Sequence, residues 1–257
     1  MFRLIAAALF AMSLPLAAFA AGVVQSMKGD VRAGLVGRPA APLGLQQRLE
    51  PGTAVLTGAD SQVIVRFDDG QEVVLNQNTE FRIVDFRYNA SDAKFDRVVF
   101  DLIKGALRMV SGAIVARNRE AVALRTPQAT IGIHGTDFMV ALVNPAYVSV
   151  IQGVVAVTNT AGTVAFGAGT IGSVANSAAL ATVIPASALP AAAAAAFSNL
   201  SAAAVVAAGG AASGAGTAAG TAATRSSTAA AAAAAAAAIA GAAAGNRGNN
   251  NPTTTHH

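Results

Sequence analysis

His134, Thr136 and Asp137 crowd into TPQATIGIHGTDF, residues 126–138, and so bring an imidazole, a hydroxyl and a carboxylate close together in an apolar part of the chain. Those are the groups of nucleophilic catalysis, but catalysis needs a nucleophile, a base and an orienting acid converging in a pocket. His256 and His257 end the chain, which leaves His134 as the single histidine of the body, and there is no cysteine. No cluster with metal-ligand spacing can be built from one histidine and scattered acids. Asp68-Asp69 offers carboxylate oxygens to a calcium ion, yet nothing nearby completes the six to eight ligands such an ion takes. A hairpin turn is the simpler use of that pair. GAGTIG, residues 167–172, lacks the lysine and the following helix of a phosphate loop. The sequence therefore predicts no catalytic, cofactor or metal site and a protein that is not an enzyme.

The elements around these residues follow from periodicity. Between Gly22 and about Val174 apolar and polar residues alternate with period two, with turn residues every eight to twelve positions, which predicts one all-β domain of stacked short antiparallel hairpins, arranged as a sandwich, roll or solenoid. In SQVIVRFDDGQEVVL, a three-residue loop Asp68-Asp69-Gly70 with glycine in the left-handed position puts Val63 opposite Leu75, Val65 opposite Val73 and Phe67 opposite Gln71. A two-residue turn would mix polar and apolar residues on the inner face, so burial selects the register. Further strands are expected on both sides of a turn near Lys104-Gly105, and on both sides of Asn144-Pro145. TAGTVAFGAGTIGSV reads as one more short hairpin. RYNASDAKFD, residues 87–96, is the one stretch polar enough for a long exposed loop, the usual place for binding residues.

The flanking segments differ from the body. Residues 1–20 carry a short basic start, an apolar run and Ala18-Phe19-Ala20, the pattern of a secretory signal peptide cut between Ala20 and Ala21. With no cysteine after that site, no lipid anchor can be attached there. The expected location is the periplasm or the cell exterior. Residues 175–257 form an Ala/Gly-rich low-complexity tail, predicted to be helical or disordered, whose alanines bury little area. Alanine and glycine at 228–244 give little insertion energy, so membrane association by the tail is the lesser expectation. The formal charge is +4, but all thirteen acids fall between Asp30 and Asp137 and fourteen bases between Lys28 and Arg125, a local balance of 14 − 13 = +1 with the signs interspersed. That is a solvated surface without a basic patch, and nucleic acid is excluded as a partner.

The string LEPGTAVLTGADSQVIVRFDDGQEVVLNQNTEFRI resembles the first half of the FecR domain, through its proline-glycine turn, Gly58 and Ser61 of the T-G-x-x-S step, Asp69-Gly70, and Leu75 and Thr79 of L-x-x-x-T. TPQATIGIHGTDF resembles the second half at Thr126, Pro127, Ala129, Gly132, Gly135, Thr136, Asp137 and Phe138, followed by Gly153, Val157 and Asn159. The resemblance runs from about Val24 to Val174. One departure is His134, where the family commonly carries arginine before the G-T. The resemblance implies that these residues serve the fold: Pro127 fixes an extended entry, Gly132 and Gly135 permit a bend or bulge, and Thr136 and Asp137 bond local backbone. It also implies an exported domain rather than a sigma-factor regulator, since the apolar leader stands directly before the FecR-like body. The expected function is recognition of an unidentified envelope protein as a signalling module. The alternative is an envelope module that binds glycan or a surface polymer, which the absence of tryptophan and the presence of only Tyr88 and Tyr147 disfavour.

Overall fold

A computed structural model describes residues 21–210, with side chains to Ala203. Residues 1–20, where a signal peptide is expected, and the residues beyond Gly210 lie outside the described residues. The first strands are β1 (Gly22–Lys28), β2 (Val31–Leu35), β3 (Ala41–Pro42), β4 (Arg48–Leu49), β5 (Thr53–Thr57), β6 (Gln62–Phe67), β7 (Glu72–Leu75) and β8 (Glu80–Arg87). A long β9 (Arg97–Val110) leads to the five-residue helix α1 (Ala113–Arg117) and β10 (Val122–Arg125). β11 (Thr130–Leu142), β12 (Ala146–Asn159), β13 (Gly162–Gly167), β14 (Ile171–Val174) and β15 (Thr182–Ile184) precede the helix α2 (Ala191–Gly210).

All fifteen strands belong to one hydrogen-bonded sheet, folded on itself into two layers because β9, β11 and β12 run through both. The first halves of β9 and β11 and the second half of β12 join a layer ordered β3-β2-β5-β8-β9-β10-β11-β12-β13. Their other halves join a layer ordered β4-β1-β6-β7-β9-β11-β12-β14-β15. Inward residues of both layers make one core, where Phe67 of the second layer stacks at 4.9 Å on Phe100 of the first, and Phe100 at 5.0 Å on Phe81. Such tilted aromatic pairs stabilise the core beyond the area they bury.

The β6–β7 hairpin has the register the sequence predicts: Val63 faces Leu75, Val65 faces Val73, and the Phe67 amide donates to the Gln71 carbonyl. That register carries a cost. Gln71 is fully buried, and neither polar atom of its side-chain amide meets a hydrogen-bonding partner among the described residues. An unpaired buried amide is destabilising, while an apolar group of the same shape is not. Gln71→Met is expected to stabilise the fold by about 1 kcal/mol, read as a rise in Tm of roughly 2–4 °C.

Three local expectations change. Lys104-Gly105 does not reverse the chain; it is the kink, with Gly105 at φ +86°, where β9 passes from β8 in one layer to β7 in the other. TAGTVAFGAGTIGSV is not a hairpin, because β13 and β14 do not pair with each other: both pair with β12, one in each layer. Nor does the chain leave the body at Val174. β14 pairs onward with β15, and α2 lays Ala193, Phe197, Leu200 and Ala203 on Ile64, Val74, Ala106, Met139, Ala141 and Tyr147, the outer face of the second layer. Alanine favours the helix. Phe197 and Leu200, one turn apart, supply its grip, with small residues above and below that let the helix lie close. Among the described residues no helix is long and apolar enough to cross a membrane.

Candidate functional site

The motif residues build three locks in the fold. In the first, the Thr79 amide donates to Thr57 Oγ1 at 2.8 Å, Thr57 Oγ1 donates to the Asn76 carbonyl at 2.6 Å, and Thr79 Oγ1 exchanges bonds of 3.1 Å with the amide and carbonyl of Ala106. Gly58 donates to the Asp30 carbonyl at 2.8 Å and accepts from the Asn78 amide, while buried Ser61 donates to the Ala59 carbonyl. Leu75, fully buried, lies between Val63 and Leu107. This lock ties the 76–79 turn to the kink in β9.

Asp69 makes the second. Its Oδ1 accepts from the Gln71 amide at 3.0 Å, its Oδ2 lies 3.4 Å from the Ile114 amide, and its carbonyl accepts from Ala113. The hairpin tip is thereby fastened to the start of α1. Burial lifts the Asp69 carboxyl above the usual aspartate range, against the opposing pull of those amide bonds. Gly70, at φ +84°, closes the turn with open space where a Cβ would stand.

The third lock is the stretch around His134. Thr126 closes a tight turn with Ala129 in which Pro127 is exposed. Gly132 pairs regularly with Ala123 and Ala156, and a Cβ there would make ordinary contacts, so the bend is not at Gly132. It is at Gly135, φ +69°, where Gly135-Thr136 bulges opposite the single residue Gly153. Thr136 donates its amide to Ser111 Oγ and turns its hydroxyl inward, where it meets no partner among the described residues. Phe138 enters the core. Asp137 leaves the bulge and takes a two-pronged bond from Arg108 on β9, at 2.8 and 2.6 Å, and that bond raises the guanidinium pKa further. His134 is exposed, one residue before the bulge. The structure therefore does not assemble His134, Thr136 and Asp137 into a reacting group: both carboxylate oxygens face Arg108 and the threonine hydroxyl faces the interior. Ala21 is buried, its amide bonded to the Leu49 carbonyl; Ala20 lies outside the described residues. Among the described residues no three His, Asp or Glu side chains gather as for a metal ion.

A different surface emerges from residues 87–96, the polar stretch. It is held rather than loose. From α1, Arg117 donates to the carbonyls of Asn89 at 2.7 Å and Ala90 at 2.9 Å, pairs with the buried Asp96 carboxylate at 2.8 Å, and lies 4.8 Å over the ring of Tyr88. Asp96 also accepts from the Asn89 amide, closing the loop on itself. A guanidinium suits this task because its planar fork reaches several acceptors at once and stacks on an aromatic face. What the loop presents is Phe95, 67% exposed, beside a hollow of about 740 Å³ lined by Pro51, Phe86, Arg87, Tyr88 and Asn89. Sequence reasoning finds the loop but misses Arg117 and Phe95. A lone phenylalanine in an otherwise polar stretch was the available signal; nothing local marks Arg117.

Residues 53–156 match the family model described as FecR protein. No curated protein matches the chain. Two crystal structures of a candidate anti-sigma factor from Parabacteroides distasonis are similar, each at 18% identity and TM-score 0.40, covering 51% of this chain and 58% of that one. The chain thus spans little more than half the length of those solved structures.

Proposed function

We infer that this chain, whose residues 53–156 are a FecR domain, is a non-enzymatic signalling module of the cell envelope that recognises a partner protein through the Arg117-held loop. The observation that carries this reading is an aromatic side chain exposed on a loop fixed in advance by its own ion pair and hydrogen bonds. Aromatic anchors dominate protein interfaces, and a loop already ordered loses little entropy when it binds. The hollow beside Phe95 offers the partner both apolar and polar lining, from Pro51 and Phe86 to Asp85 and Arg87. The export of the chain rests on the signal-peptide pattern of residues 1–20.

Glycan binding is less well supported. Sugar sites favour tryptophan and tyrosine, whose rings carry a hydrogen-bonding group, but the chain has no tryptophan, Arg117 covers Tyr88 and α2 buries Tyr147. Phe95→Ser is expected to reduce capture of the partner from an envelope extract at least tenfold, roughly the loss of one buried aromatic anchor, with Tm unchanged. Equal capture by the variant, or capture of cell-wall fragments alone, would remove this reading.

A further inference from the structure

The two layers end in four edges, and three are short, covered or guarded among the described residues. β3 and β4 each add two residues, backbone bonds between Val24 and residues 46–47 cover the middle of β1, whose remaining end carries a bulge after Val24 and Lys28, and β15 is three residues long. β13 is different. Its six residues, Gly162–Gly167, pair on one side with β12, and on the other the backbone of residues 162–166 meets no partner among the described residues. An unpaired edge is a template for another strand, and natural edges guard against this with lysine, proline or a bulge. GTVAFG contains none of these.

The occupant follows from charge. No Asp, Glu, Lys or Arg occurs between Phe138 and Ala203, so β13 and the strands and loop around it form a neutral sector beside a body full of both signs. A foreign partner is usually steered and selected by complementary charge, which this sector cannot offer. A two-fold contact sets the same patch of both copies face to face, so a patch of one sign would repel itself, while a neutral one meets its copy without repulsion. The side chains agree: Phe166 and Val164 point to the core, with Val164 left half-covered at the open side, while Thr163 and Ala165 are exposed on the outer face. Leu180, half-exposed, stands over Gly162 at the end of the strand, where Asn159 and Thr160 bind the 176–179 backbone and hold it.

We propose that β13 is a self-association edge: two copies join antiparallel through residues 162–167, continuing the first layer of each into one sheet across a two-fold axis. β13 lies four strands from β9, about 19 Å across the sheet, so the proposal is independent of the Phe95 loop and leaves it open in both copies. One strand pair buries less than a standard stable interface, so association belongs to the weak, concentration-dependent class.

The test is the mass of the chain from Ala21 onward, measured by light scattering up to roughly 100 µM, with hydrogen exchange of residues 162–167 across the same concentrations. The expected result is a rise to twice the single-chain mass, with exchange at 162–167 slowing in parallel. Ala165→Lys, which sets two ammonium groups near the axis, is expected to hold the mass at one chain with Tm unchanged, while Ser91→Lys, on the distant loop, leaves the doubling intact. The exchange measurement reads the wild-type edge even if the lysine variant folds poorly. A single-chain mass at every concentration would overturn the proposal, as would a doubled mass that survives Ala165→Lys in a folded variant. Protection of 162–167 that appears only with a foreign partner would overturn it too.

Discussion

Gly153→Ala is expected to cost the domain about 4 kcal/mol, lowering Tm by roughly 8–16 °C. Gly153 sits at φ +80°, and a Cβ there would fall on the Gly135 carbonyl oxygen and lie 2.9 Å from both the Gly135 carbonyl carbon and Thr136 Cγ2. The obstruction is mostly backbone, and that backbone is fixed by the bulge, so no rotamer change relieves it. Two effects add: a left-handed conformation that alanine resists, and a collision that pushes β11 and β12 apart where both change layers. Gly70→Ala separates them. Gly70 has φ +84° with nothing near its missing Cβ, so its substitution should cost only about 1 kcal/mol. Thermal or urea unfolding of the two variants measures the difference. Equal losses would mean that the bulge does not hold the two glycines as close as described.

Arg108→Ala is expected to cost about 2–3 kcal/mol, near the lower end of what is lost when one member of a buried ion pair is removed, because solvent still reaches the rim of this one. Arg108 and Asp137 keep 16% and 17% of their side-chain surface, and their two bonds are short and parallel. Removing the arginine strands a half-buried carboxylate just after the bulge, on the strand that must re-enter the second layer. Arg108→Lys keeps the charge but not the fork, and should fall between wild type and alanine. The double variant Arg108→Met with Asp137→Leu should recover most of the loss, since it removes both desolvated charges together. A double-mutant cycle with a coupling near zero would contradict the pairing.

How far these features were legible depended on the range of the interactions that create them. The β6–β7 hairpin was readable because Asp68-Asp69-Gly70 and the alternation of Val63, Val65 and Phe67 fix its register within fifteen residues. The long strands were harder. Lys104-Gly105 looks like a reversal, and only pairing with β7 and β8 shows that the chain continues through it. β13 and β14 invite pairing because they are neighbours in sequence, yet β12 is long enough to take both. The helix α2 was hidden by composition: its alanines have no apolar stripe of their own, and its partners Ile64, Val74 and Met139 come from three distant strands. The candidate site divided in the same way. The polar loop 87–96 announced itself, whereas Arg117, twenty-one positions beyond Asp96, reaches it only after α1 has been placed by Asp69.

Recognition through the Phe95 loop is tested most directly by a photo-reactive residue placed at position 95 of the full chain in its native cells, with one at Leu45 as the control. Leu45 is 62% exposed and lies on another loop. The account predicts an adduct with one recurring envelope protein from position 95, absent from position 45. No protein adduct from position 95, or the same adduct from both positions, would contradict it.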